Sequence, residues 1–102
     1  MILRDKDRNS VCTIATRCFI TPVEIWVHGS RVSGDCHDGS DLNLVVVNRD
    51  EKVNIRKMYL DFIDQLRDSK IPILVDVKEW NSIPISFQNN IIRQYEVVCV
   101  VS

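Results

Sequence analysis

Between Glu24 and Asn48 the chain reads E-I-W-V-H-G-S-R-V-S-G-D-C-H-D-G-S-D-L-N-L-V-V-V-N, and this stretch constrains the fold more than any other. An apolar run from Val23 to His28, rich in β-formers, stops at Gly29-Ser30. Ten residues follow that are mostly small, polar or charged, and Asp41-Leu42-Asn43-Leu44 then opens a second apolar run. Leu42 to Val47 is nearly continuous and β-branched, the pattern of a strand covered on both faces. A strand of that kind needs covering layers, and the flanking segments have the periodicity to supply them.

Within residues 9 to 19, Val11, Ile14, Ala15, Cys18 and Phe19 stand at i, i+3, i+4, i+7 and i+8, one core-type helical face that Asn9 or Ser10 can cap. Thr21-Pro22 ends the pattern, because a residue before proline is pushed out of the α region. Gly29 to Gly34 is read as a turn running into a short helix, and Asp35 to Ser40 as a polar loop. Asp50 is the expected N-cap of the longest helix, Glu51 to Ser69, where Ile55, Met58, Tyr59, Phe62, Ile63 and Leu66 recur at helical spacing. Ile73 to Val77 is expected as a third strand carrying Asp76, closed by Trp80. Ser82 and Pro84 then start a short helix to about Gln94, and Glu96 to Val101 is a last strand. The order α-β-(α)-β-α-β-α-β predicts one α/β (α+β) domain over residues 1–102, a small mixed sheet of about four strands with helices packed on it.

A net charge of -1 and a pI near 6.1, with no basic patch, argue against nucleic acid as a partner. Cys12, Cys18, Cys36 and Cys99 form no C-x-x-C pair and are expected as free thiols. No apolar run approaches the roughly 20 residues that span a bilayer, and the charged start M-I-L-R-D-K-D-R-N-S lacks a signal-peptide core. The expected location is cytoplasmic, away from any membrane.

Three elements of the sequence carry chemistry. At Gly29-Ser30 a glycine lets backbone approach a ligand, and N–H groups at a helix start attract phosphate; the alternative is a plain turn. Asp41 and Asn43 share one face of their strand, unless Asp41 merely caps a turn and Asn43 sits on a solvated edge. Asp76 interrupts a strand that otherwise reads as buried, where a carboxylate is costly unless paired or bound to a cation. If the third strand adjoins the second, Asp76 sits beside Asp41 and their oxygens suit Mg²⁺; the alternative is a pair with a nearby Lys or Arg. Arg31 follows the turn within reach of a phosphate, or is a solvated surface residue. His28, His37 and Cys36 have no partner at defined spacing, and Trp26 and Trp80 read as packing residues.

The stretch V-H-G-S-R-V-S-G-D-C-H-D-G-S-D-L-N-L resembles the signature of minimal nucleotidyltransferases of the DNA polymerase β superfamily. That signature is Gly-Ser, ten residues, Asp-x-Asp, and a third Asp on a later strand. Here ten residues separate Ser30 from Asp41, Asp76 in L-V-D-V-K-E-W takes the third place, and Trp80 matches a Trp that often follows it. The likeness runs from the first helix to the last strand. It implies the nucleotidyltransferase fold, with ATP held by Gly29, Ser30, Arg31 and Ser40. Asp41, Asn43 and Asp76 would then bind two Mg²⁺ ions that align an acceptor hydroxyl with the α-phosphate.

It also implies transfer of AMP to a hydroxyl, such as a tyrosine, of a helical HEPN-type toxin, with this chain as the antitoxin in a homo- or hetero-oligomer. Given the chain's brevity, the acceptor surface is expected to come from that partner. Asn43 departs from the pattern, being a neutral amide where the family has a carboxylate. A charge about 4 Å from a divalent ion is worth several kcal/mol at an effective dielectric near 20, which is orders of magnitude in rate. The expectation is therefore a weakened enzyme or, alternatively, a nucleotide- or partner-binding module that neutralises its partner by contact.

Overall fold

The computed structural model describes residues 3–29, 41–69, 71–72 and 74–102. Helix α1 spans Asp5–Cys18, strands β1 and β2 span Val23–His28 and Leu42–Asn48, and helix α2 spans Arg56–Arg67. Strand β3 is Val75–Glu79, a 3-10 turn covers Trp80–Ser82, helix α3 is Ile85–Arg93 and strand β4 is Tyr95–Val101. The strands form one mixed sheet in the order β3-β2-β1-β4, with β1 antiparallel to both neighbours and β2 parallel to β3. This is the α+β arrangement expected from the sequence, a mixed sheet of four strands with helices packed on it.

The side-chain alternation of the two central strands divides the core in two. On one face Ile25, Val27, Leu42, Leu44 and Val46 pack against Val11, Ile14 and Phe19 around α1 and Ile55, Tyr59, Phe62 and Leu66 around α2. The rings of Phe19 and Phe62 meet there with centroids 5.4 Å apart. On the other face Trp26, Val45 and Val47 bury Ile83 and Ile91, which brings α3 down onto the sheet. Both faces of β2 are thus covered, as its unbroken apolar run requires.

Several boundaries differ from expectation for local reasons. Helix α1 begins at Asp5, so Asn9 and Ser10 lie inside it and do not cap it. Asp5 and Asp7 occupy its first turn, where carboxylates complement the helix dipole, and Arg4 Nε lies 2.9 Å from Asp7 Oδ2. Helix α2 begins at Arg56 because polar side chains claim the preceding backbone: Asp50 Oδ1 accepts the Lys52 N–H, and Asn54 Oδ1 accepts the Arg56 N–H. Asp50 therefore holds a turn and is not the N-cap. Strand β3 runs later than predicted, Val75–Glu79, and Ser82 lies in the 3-10 turn while Pro84 precedes α3.

The short helix expected after Gly29 falls outside the described residues, as does Cys36. Cys12, Cys18 and Cys99 are free thiols as predicted, and burial first, then a hydrogen bond with Cys12, pushes Cys99 up to about 12. No described helix is long and apolar enough to cross a membrane.

Candidate active site

Where β1 ends and β2 begins, the sheet register sets four side chains in one row. His28 stands opposite Asn43 on one side and Tyr95 on the other, and Asn43 stands opposite Asp76. Residues directly opposed on neighbouring strands project to the same face. That face is the α3 side, since the His28 ring meets Phe87 of α3 edge-on at 5.8 Å. Asp41 immediately precedes β2 in step with Asn43 and is exposed. Asp41, Asn43 and Asp76 are therefore gathered at one end of adjacent strands, although Asp76 faces Asn43 and not Asp41 as the sequence suggested.

Asp76 is not buried, contrary to what its apolar surroundings in the sequence imply. Strand β3 is the outer strand beside β2, and the Asp76 side chain is 51 % exposed. No desolvation cost compels a partner there, yet one exists: the Lys78 ammonium donates to Asp76 Oδ2. Alternation puts Lys78 two residues along on the same face, so the Lys-pair alternative describes this carboxylate. The same ammonium acts on His28: burial, and next Lys78, hold the imidazole below its ordinary range, and Asp76 opposes them.

Gly29 closes β1 with φ +86°, a left-handed conformation that other residues adopt at a cost. A Cβ built there would come within 2.8 Å of Asn43 Nδ2. The amide of Asn43 thus lies against the backbone of the turn, and both requirements select glycine. Gly29→Ala is expected to destabilise the protein by about 1–3 kcal/mol, lowering the melting temperature by several degrees in a thermal scan. An unchanged melting temperature would contradict the packing of Asn43 on this turn.

The oxygen ligands gathered at this end of the sheet, the Asp41 and Asp76 carboxylates and the Asn43 carbonyl, are the chemistry of a hard cation such as Mg²⁺. In type the set fits that ion. In charge it is thin, because Asn43 is neutral and Lys78 already offsets Asp76; among the described residues no three His, Cys, Asp or Glu side chains cluster closely enough to hold a metal. Ser30, Arg31 and Ser40, the remaining expected nucleotide contacts, lie outside the described residues, with His37.

Sequence reasoning missed Lys78, His28 and the α3 residues beside them. The i+2 step from Asp76 to Lys78 was readable; the approach of α3 to His28 depends on tertiary packing. Trp26 is a packing residue, as expected. Its ring stacks on Tyr95 at 4.2 Å and takes Trp80 edge-on at 5.3 Å.

No curated protein matches the chain. A chain from a crystal structure of a toxin–antitoxin with AMP-PNP superposes with a TM-score of 0.69 at 18% identity, over 90% of this chain and 72% of that one. A candidate nucleotidyltransferase from Sulfolobus solfataricus aligns over 90% of this chain and 82% of its own at 14% identity, with a TM-score of 0.43. Residues 19–101 match the family described as Polymerase beta, Nucleotidyltransferase, which takes in every strand of the described residues, the Gly29-Ser30 pair, Asp41, Asn43 and Asp76. The chain belongs to the polymerase beta nucleotidyltransferase family.

Proposed function

We propose that this protein is a weakened Mg²⁺-dependent nucleotidyltransferase that moves AMP from ATP to a hydroxyl, a tyrosine of a helical HEPN-type toxin, and thereby serves as a cytoplasmic antitoxin. The observation that carries this reading is the register that sets Asp76 opposite Asn43, with Asp41 in step beside them and Gly29 against the Asn43 amide. The toxin–antitoxin neighbour with AMP-PNP supports a nucleoside triphosphate as ligand and a protein as partner.

Each residue has a distinct task in this reading. Gly29 lets the turn's backbone approach the phosphates, with Ser30, Arg31 and Ser40 as further contacts. Asp41, Asp76 and the Asn43 carbonyl would hold Mg²⁺, which when bound supplies charge stabilisation to the reacting phosphate. Lys78 must release Asp76 for that, and its exposed side chain is free to swing away from so exposed a carboxylate.

Incubating the protein with Mg²⁺, α-labelled ATP and a HEPN-type partner is expected to label the partner. Asp41→Ala should reduce that labelling at least a hundredfold while leaving the melting temperature within a few degrees, since Asp41 is exposed. The neutral Asn43 and the Lys78–Asp76 pair favour a second reading, a module that neutralises its partner by contact alone. Co-elution with the partner and no transfer of label from the unmodified chain would decide for it.

A further inference from the structure

Beside the row of Asp76, Asn43 and His28 lies a cavity of about 280 Å³ lined by His28, Gly29, Phe87, Asn90, Ile91 and Gln94. Helix α3 supplies Phe87, Asn90 and Ile91 at i, i+3 and i+4, and Gln94 follows at its C-terminal end, so one helical face forms the wall over the end of β1. The cavity adjoins the candidate site directly: Gly29 lines it, and the space where a Gly29 side chain would go is filled by the Asn43 amide.

Among the described residues its lining holds no carboxylate, thiolate, Lys or Arg; it offers the Phe87 ring, the His28 imidazole, the edge of Ile91 and the carboxamides of Asn90 and Gln94. That is how proteins hold bases, with a ring or aliphatic surface against the base plane and amide groups on its edge. The Phe87 ring is 37% exposed, so it presents surface to an occupant while its contact with His28 fixes its orientation. A carboxamide offers one donor and one acceptor, matching N6–H and N7 of adenine, whereas guanine presents two acceptors on that edge.

We propose that this cavity takes the base of the nucleoside triphosphate, with Phe87 against its plane and the Asn90 carboxamide on its edge, and that it selects adenine. The proposal rests on the nucleotide reading above, so its test separates the two. Binding of ATP, GTP and inorganic tripolyphosphate to the full chain is measured by calorimetry in Mg²⁺, for the unmodified protein, Asn90→Ala and Phe87→Ala. The unmodified protein should prefer ATP to GTP by about tenfold or more, and Asn90→Ala should erase that preference. Phe87→Ala should weaken both nucleotides, and tripolyphosphate should bind all three proteins equally.

Equal affinity of the unmodified protein for ATP and GTP, or an unchanged ATP:GTP ratio in Asn90→Ala, overturns the proposal and leaves the nucleotide reading standing. Equal losses for ATP and tripolyphosphate in both variants overturn it too, by showing general damage. Should the unmodified protein bind neither ATP nor tripolyphosphate, both readings fall. Asn90 is exposed on α3, so its variant folds even if Phe87→Ala does not.

Discussion

Asn43→Asp is expected to raise Mg²⁺ affinity and the rate of AMP transfer by about tenfold to a hundredfold. The unscreened attraction between a carboxylate and a divalent ion about 4 Å away is near 8 kcal/mol at an effective dielectric of 20. Solvent access reduces that, since Asp41 is exposed and the Asp76 side chain is 51% exposed, so about 1.4–3 kcal/mol is the realistic gain. The change is close to isosteric, and the side chain keeps its place against Gly29. Stability supplies a readout independent of catalysis. In EDTA, N43D should melt below the unmodified protein, because a third carboxylate joins Asp41 and Asp76, one of which the Lys78 ammonium already offsets. In excess Mg²⁺ the order should reverse, since binding to the folded state alone raises its stability. If Mg²⁺ leaves both melting temperatures unmoved, the row is not a cation site. If N43D binds Mg²⁺ tightly and still transfers nothing, the missing charge is not what silences the chain, and neutralisation by contact becomes the better account.

The strands and the long helix were legible because each pattern has one solution. Leu42 to Val47 has no polar residue after Asn43 and can only be a central strand, and it is one. Met58, Tyr59, Phe62, Ile63 and Leu66 repeat at a spacing that only a helix satisfies, and they lie within α2 or on its core side. Helix starts were harder, since Asn9, Asp50 and Ser82 have capping side chains but neighbouring backbone or turn geometry settled the ends elsewhere.

Legibility of the site divides along the same line. That Asp41, Asn43 and Asp76 meet on adjacent strands follows from alternation and from β3 lying beside β2. The partner of Asp76 turns on a register that no local pattern encodes, and a two-residue shift separates Asn43 from Asp41. Exposure of Asp76 is likewise a matter of sheet order: the apolar I-L-V before it reads as buried, but an outer strand leaves its side chains half covered. The cavity walled by α3 was not visible at all, because it forms where a helix crosses a strand end distant in sequence.

Trp26→Ala is expected to cost about 3–5 kcal/mol, a large share of the roughly 5–15 kcal/mol that holds a small domain folded. Trp26 is 7% exposed at the centre of the α3 face, between Tyr95 stacked at 4.2 Å and Trp80 at 5.3 Å, with Ile83 and Ile91 in the same cluster. Its indole N–H also donates to Glu24 Oε1 at 3.0 Å, and Glu24 in turn pairs with Arg49 at 2.7 Å. Phe62→Ala, on the opposite face, removes a comparable fully buried ring between α2 and the sheet. The two variants should lose similar stability in urea but differ in where the loss appears. Amide exchange in Phe62→Ala should quicken across α1, α2 and the sheet alike. In Trp26→Ala it should quicken first in α3 and the Trp80–Ser82 turn, because these pack on the sheet through the cluster that Trp26 anchors. Nucleotide affinity should fall with it, since a loosened α3 no longer walls the cavity beside His28 and Gly29. Uniform exchange in Trp26→Ala, with ATP binding intact, would mean that α3 is held by something other than this aromatic cluster.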